Sequence, residues 1–156
     1  MKSKIFSVCL LASSFAACAL AQGAAQLTVQ PVARVTAKRG ETMSVTVKAA
    51  LADGLHCNSN APNDPYLIPL KLTWDAKPLT ASMIEYPKAK SEKSEFSEKP
   101  LSVFEGAFDI VTRFAVPTTA PPGMGIAAGK LKYQACNSKM CFPPKTVNVQ
   151  FTYDLR

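Results

Sequence analysis

Two cysteines five positions apart, Cys136 and Cys141, lie between two stretches that alternate apolar and polar residues. The segment reads Tyr133-Gln134-Ala135-Cys136-Asn137-Ser138-Lys139-Met140-Cys141-Phe142-Pro143-Pro144-Lys145-Thr146-Val147. Neighbouring strands run about 4.8 Å apart and a disulfide spans Cα atoms about 5.5–6 Å apart, so a pair at the mouth of a hairpin closes easily. A bridge across so short a loop removes little chain entropy, on the order of 2 kcal/mol. Short-loop or exposed bridges tend to be readily reduced. Lys139 between the cysteines and Lys145 just after them would favour a thiolate, the attacking species in thiol–disulfide exchange. Spacing alone leaves three chemistries open: redox exchange, a structural staple and soft-metal binding. Cys136 and Cys141, with Met140, would suit copper(I). Adding His56 and Cys57 would complete a Cys3His zinc set, against which stands the opposite facing of adjacent strand residues.

The elements that must position this pair read as strands. Met43, Val45, Val47, Ala49 and Leu51 alternate with polar or small residues, and so do Ile68, Leu70, Leu72 and Trp74. Phe104, Phe108, Ile110 and Phe114 share one parity, and Leu131, Tyr133 and Ala135 share another. Val147 to Leu155 alternates strictly. Turn signals separate these runs at Arg39-Gly40, Asp53-Gly54, Asn63-Asp64-Pro65 and Pro121-Pro122-Gly123, and no segment keeps a 3.6-residue period. The pattern predicts an all-β, antiparallel β-sandwich in which strands Gly129–Ala135 and Lys145–Leu155 flank the cysteines. Lys88 to Pro100, rich in lysines and acids with Phe96 as its one aromatic, reads as a solvated loop.

The chain has 156 residues, 47% of them apolar and 19% charged, which suits one domain with a buried core. Its net charge is +7, yet the lysines are scattered and no basic cluster interleaves with aromatics, which argues against a nucleic-acid partner. One histidine excludes a multi-histidine metal site. No glycine-rich phosphate loop or Gly-x-Ser-x-Gly turn is present, which disfavours a nucleotide enzyme or a serine hydrolase. Residues 1–21 read as an export signal: Lys2 and Lys4, an uncharged run from Ile5 to Leu20, then Ala19-Leu20-Ala21 before cleavage at Gln22. Phe15-Ala16-Ala17-Cys18 offers a competing lipoprotein box that would anchor the chain at Cys18. Residues 22–156 are then one exported domain with no membrane span, and Cys57, Cys136 and Cys141 meet an oxidising compartment.

The run Tyr-Gln-Ala-Cys-x4-Cys-x-Pro-Pro-Lys-Thr-Val resembles the cysteine hairpin of the N-terminal periplasmic domain of the thiol:disulfide interchange protein DsbD. Two further stretches fit the same family in order: Asp53-Gly54-Leu55-His56-Cys57-Asn58-Ser59-Asn60 with Asp64 to Leu70, and Lys99 to Gly106. The resemblance implies an immunoglobulin-like sandwich that carries electrons in the periplasm and needs no cofactor. Its partners would be a membrane-linked electron donor and thioredoxin-like acceptors, among them disulfide isomerases and cytochrome-maturation factors. It implies that Cys141 forms the mixed disulfide and that Cys136 is its intramolecular partner. A capping loop would fall within about 94–101, with Phe96 as the cap. The electron-conducting membrane domain and thioredoxin-like domain of the long family form are not in this sequence, so a donor in trans is expected.

In the family, polar or aromatic residues of the upstream strand border the cysteines, which would put His56 and Asn58 beside the pair. Parity sets Leu55 and Cys57 on the opposite, core-facing side. An imidazole, whose ordinary pKa is near 6.5, could assist proton transfer there; the alternative is a histidine that only shapes the loop.

Overall fold

The computed structural model describes residues 25–93 and 97–156. The expected export signal, with Cys9 and Cys18, and Phe96 of the expected cap lie outside these residues. All regular elements described are strands: β1 (Leu27–Val29), β2 (Val35–Ala37), β3 (Thr42–Leu51), β4 (His56–Asn58), β5 (Lys71–Asp75), β6 (Thr80–Glu85), β7 (Lys90–Glu92), β8 (Leu101–Glu105), β9 (Ala107–Ala115), β10 (Gly123–Tyr133), β11 (Ala135–Cys136) and β12 (Lys145–Leu155). They form three four-stranded sheets, ordered β1-β3-β9-β6, β2-β12-β10-β5 and β11-β4-β8-β7.

The first two sheets are the layers of an immunoglobulin-like sandwich. Each long strand supplies one row of inward side chains, because the side-chain period of a strand is two. Met43, Val45, Val47, Ala49 and Leu51 of β3 are all buried, as are Phe108, Ile110, Thr112 and Phe114 of β9 and Val149, Phe151, Tyr153 and Leu155 of β12. The Trp74 ring meets Phe114 and Phe151 edge-on, with centroids 5.4 Å away in both cases, an arrangement favoured by the ring quadrupoles. Its indole N–H donates to the hydroxyl of fully buried Thr112 at 3.0 Å, so the one polar side chain in that row is satisfied.

The third sheet is built from continuations of the other two. After Leu51 the chain turns through Asp53-Gly54 and resumes as β4, β8 runs into β9 through Gly106, and β10 runs into β11 through Gln134. Strands that change sheets need a bend at the corner. Gly106 provides one with a φ of +62°, a conformation that a Cβ disfavours. Phe104 and Phe108 therefore keep one parity and enter the same core cluster, although they belong to different sheets.

Two features differ from the sequence expectation. β12 pairs with β2 in parallel, Tyr153 opposite Val35, in an otherwise antiparallel fold. The segment expected to be a solvated loop contains β7, whose Lys90, Ser91 and Glu92 pair with Val103, Ser102 and Leu101. An edge strand needs only backbone partners on one side, and its charged side chains guard the open edge, so it lacks the apolar alternation that marks inner strands.

Replacing Gly106 by Ala adds a Cβ that meets nothing within 4 Å, so its cost is conformational alone. Gly106→Ala is expected to lower stability by about 1–2 kcal/mol, read as a lower urea midpoint at unchanged slope.

Candidate functional site

Cys136 and Cys141 form a disulfide across a four-residue turn. The turn is closed by backbone before it is closed by sulfur. Asn137 N–H donates to the Met140 carbonyl at 2.9 Å, and Phe142 N–H donates to the Ala135 carbonyl at 2.8 Å. Cys136 and Cys141 face each other between these two bonds, as a non-hydrogen-bonded cross-strand pair. Such pairs bring Cα atoms to about 4.5 Å, which accounts for a separation, 3.9 Å here, shorter than the spacing of a general disulfide. The Asn137 side chain accepts from the N–H groups of Lys139 and Met140 at 2.9 and 2.8 Å, an Asx arrangement that orders the turn from within. Gln134 donates its amide to the Phe142 carbonyl at 3.0 Å and fixes the return leg.

The two sulfurs sit in different environments. Cys136 is 1% exposed, whereas Cys141 lies on the surface with Lys139 and Met140. The difference comes from β11, which pairs with β4: Ala135 lies opposite Cys57 and Cys136 opposite His56. Alternation then turns Ala135 and Cys57 into the core, beside Phe104 and Tyr133, and turns Cys136 and His56 to the other face. Burial pushes the Cys57 thiol up to about 12, against a weaker lowering by a backbone hydrogen bond from Phe104. Cys57 thus behaves as a small core hydrophobe. Cys57 and His56 point to opposite faces of β4, so the Cys3His set weighed from sequence does not converge. Among the described residues no three His, Cys, Asp or Glu side chains gather as a metal site.

His56 is buried at the floor of a cavity of about 450 Å³ whose lining includes Asp53, Lys90, Glu92, Glu105 and, from the cysteine turn, Ser138. Its Nδ1 lies 3.4 Å from Glu92 Oε2. Its Nε2 is buried with no hydrogen-bond partner. Glu105, directly opposite His56 on β8, is paired with the Lys90 ammonium, which holds its carboxyl below the usual range; His56 adds to that lowering. Asn58 is also buried, two positions further along β4 and opposite Val103, and its amide donates to the Ile68 carbonyl at 3.1 Å. It ties down the loop before β5. The structure therefore brings His56 into register with Cys136, sets Lys139 on the exposed turn, and gives Asn58 a loop-holding contact.

Lys90, Glu92 and Glu105 were not singled out from sequence. Two of them sit in the segment read as a loop. Only the Val103-to-Glu105 alternation after a strand-like run hinted that Glu105 would face the same side as His56.

A two-layer β-sandwich with a small third sheet that holds a cross-strand disulfide, one sulfur buried and one exposed, defines an immunoglobulin-like thiol–disulfide exchange domain. The chain belongs to the family described as thiol:disulfide interchange protein DsbD, N-terminal, whose model matches residues 24–152. The chain is similar to the DsbD N-terminal domain of Neisseria meningitidis in its reduced form, with 19% identity over 72% of this chain and 82% of that one and a TM-score of 0.46. It is also similar to the N-terminal periplasmic domain of ScsB from Proteus mirabilis, with 11% identity, 80% of this chain and 44% of that one, and a TM-score of 0.48. No curated protein matches the chain.

With a thiol held near 12, on the order of one Cys57 in ten thousand is thiolate at pH 8. Peptide mapping after iodoacetamide treatment of the folded protein at pH 8 should find Cys57 unmodified, and full modification should follow only in denaturant. Cys57→Ser buries a hydroxyl in place of a thiol and should cost about 1–3 kcal/mol in denaturant titration while the Cys136–Cys141 bridge still forms.

Proposed function

We propose that this domain passes electron pairs in the periplasm through the Cys136–Cys141 pair, with Cys141 as the sulfur that partners reach and Cys136 as the resolving thiol. The observation that carries this reading is the difference in exposure across one disulfide. An incoming thiolate has to approach along the line of the S–S bond, and only the exposed sulfur admits it. Attack on Cys141 Sγ forms a mixed disulfide, breaks the Cys136–Cys141 bond and leaves the electron pair on Cys136 Sγ. A second thiolate from the same donor then releases Cys141, and the domain holds a dithiol. In the forward direction the Cys141 thiolate attacks an acceptor disulfide. Cys136 then attacks Cys141 Sγ, the intramolecular bridge closes again, and the acceptor leaves as a dithiol, two electrons richer.

Membership of the DsbD N-terminal family supports thioredoxin-like acceptors and a membrane-linked donor as the partners, including the isomerases and cytochrome-maturation factors expected from the sequence. The same membership, with the export signal read in residues 1–21, supports the periplasm as the compartment. Lys139 beside Cys141 favours the thiolate that exchange requires.

The pair equilibrated in graded thiol buffers, acid-quenched, alkylated and weighed should show a potential of about −120 to −270 mV, the range of redox carriers. A bridge that stays closed in the folded protein below about −300 mV would make it a staple and overturn the reading. Cys136→Ala should accumulate mixed disulfides through Cys141 with a thioredoxin-like protein added as its disulfide, and Cys141→Ala should not.

A further inference from the structure

We infer that His56 is the proton donor and acceptor for the Cys136 sulfur, held to that task by Glu92. The inference rests on the exchange reading above and adds to it the residue that handles the proton. Cross-strand register puts Cys141, Cys136, His56 and Glu105 in one row across the third sheet: Cys136 is opposite Cys141 on one side and His56 on the other, and His56 is opposite Glu105. Directly opposed residues have Cβ atoms roughly 4.5–5.5 Å apart, within reach of an imidazole and a thiol.

The hydrogen-bond account of His56 is incomplete in a specific way. Nδ1 lies 3.4 Å from Glu92 Oε2, an oxygen that itself has no hydrogen-bond partner, and Nε2 is buried and has none either. An unpartnered buried nitrogen is costly and calls for an explanation. In the disulfide state Cys136 offers neither a proton nor a charge. Opening the bond creates both needs at a sulfur that is 1% exposed, with His56 between it and the cavity. A buried thiolate without a counter-charge or a proton is a poor leaving group. The partner that Nε2 lacks is the one the reaction produces.

A donor thiolate attacks Cys141 Sγ, the S–S bond breaks, and the electron pair moves to Cys136 Sγ. The imidazolium Nε2–H gives its proton to that sulfur, which leaves Cys136 as a thiol and His56 neutral. Nδ1–H still faces Glu92, and a proton returns to Nε2 from solvent through the cavity. In the reverse direction neutral Nε2 takes the Cys136 proton as that sulfur attacks Cys141. Among the described residues, the charged and titratable groups around the imidazole are Glu92 and Lys90 on β7, Glu105 on β8, Asp53 in the turn before β4 and the cysteine pair itself. Lys90 is engaged by Glu105, which leaves Glu92 as the carboxylate facing the ring. Glu92 is a positioning residue: its carboxylate lies against Nδ1 and leaves Nε2 for the sulfur.

The test uses the full-length folded protein with dithiothreitol as the probe. The reduction rate of the Cys136–Cys141 bridge is measured from pH 5 to 9, divided by the thiolate concentration of the probe, and read by acid quench, alkylation and peptide mapping. The wild-type normalised rate should fall by a factor of ten or more between pH 5 and pH 9. His56→Gln should be about tenfold or more slower at pH 5.5, with a flat profile, in line with a lost general acid. Glu92→Gln keeps the imidazole and removes the half-exposed carboxylate that orients it, so the reduction rate at pH 5.5 should fall severalfold while the pH dependence persists. A His56→Gln variant slowed equally at every pH would assign the residue a shape-holding role and overturn the inference. A flat wild-type profile, or a Glu92→Gln rate equal to wild type at every pH, would also overturn it. A wild-type bridge that dithiothreitol does not open in the folded protein would instead sink the exchange reading.

Discussion

The cysteine hairpin is tied to the sandwich by two backbone pairings, Ala135 with Cys57 and Cys136 with His56. Everything particular to the site follows from that short ladder. It sets the parity of β11, so that a small side chain enters the core at Ala135 and a sulfur leaves it at Cys136. It gives Cys136 a histidine neighbour. It also anchors one leg of the hairpin while the other is left to the surface, which is why two residues of one bond differ so much in exposure. A slip of one position would reverse each of these assignments, because strand side chains alternate. The pairing is held in place by packing behind it: Ala135 and Cys57 are both fully buried among Phe104, Tyr133 and Leu131, which leaves no room for a shifted register.

The long strands were legible in the sequence because each buries one face. The alternations at Met43 to Leu51, Leu131 to Ala135 and Val149 to Leu155 all turned inward as parity required. Sheet membership was not legible. Phe104 and Phe108 look like one run, and only the left-handed φ of Gly106 divides them between two sheets. β7 was missed for the opposite reason: its residues are charged, its pairing is entirely backbone, and nothing in their types distinguishes an edge strand from a loop. The same cause hid Glu92, which meets His56 only through the fold of that edge strand.

The core-facing side of β4 was read correctly from parity, and the outer side only in outline. Sequence placed His56 and Asn58 together, and the structure gives them separate duties along one strand. Asn58 satisfies a loop carbonyl, as a buried amide is expected to do. His56 has a carboxylate 3.4 Å from Nδ1, a buried Nε2 with no partner, and Cys136 opposite it in register. A polar side chain with its bonds filled holds structure, and one left open marks a place where something changes.

The backbone bonds that flank the cysteines, from Phe142 to Ala135 and from Asn137 to Met140, do not depend on the sulfur–sulfur bond. A hairpin closed in this way holds its shape when that bond opens. Cys136 then stays poised against Cys141 at a high effective concentration, since no chain entropy must be spent to bring the two together again. In the exchange proposed above, a partner captured on Cys141 would be held only for as long as Cys136 takes to strike. Under that proposal the hairpin would be a timer: its stiffness would set the lifetime of the covalent complex and limit how long one partner occupies the domain before the next docks.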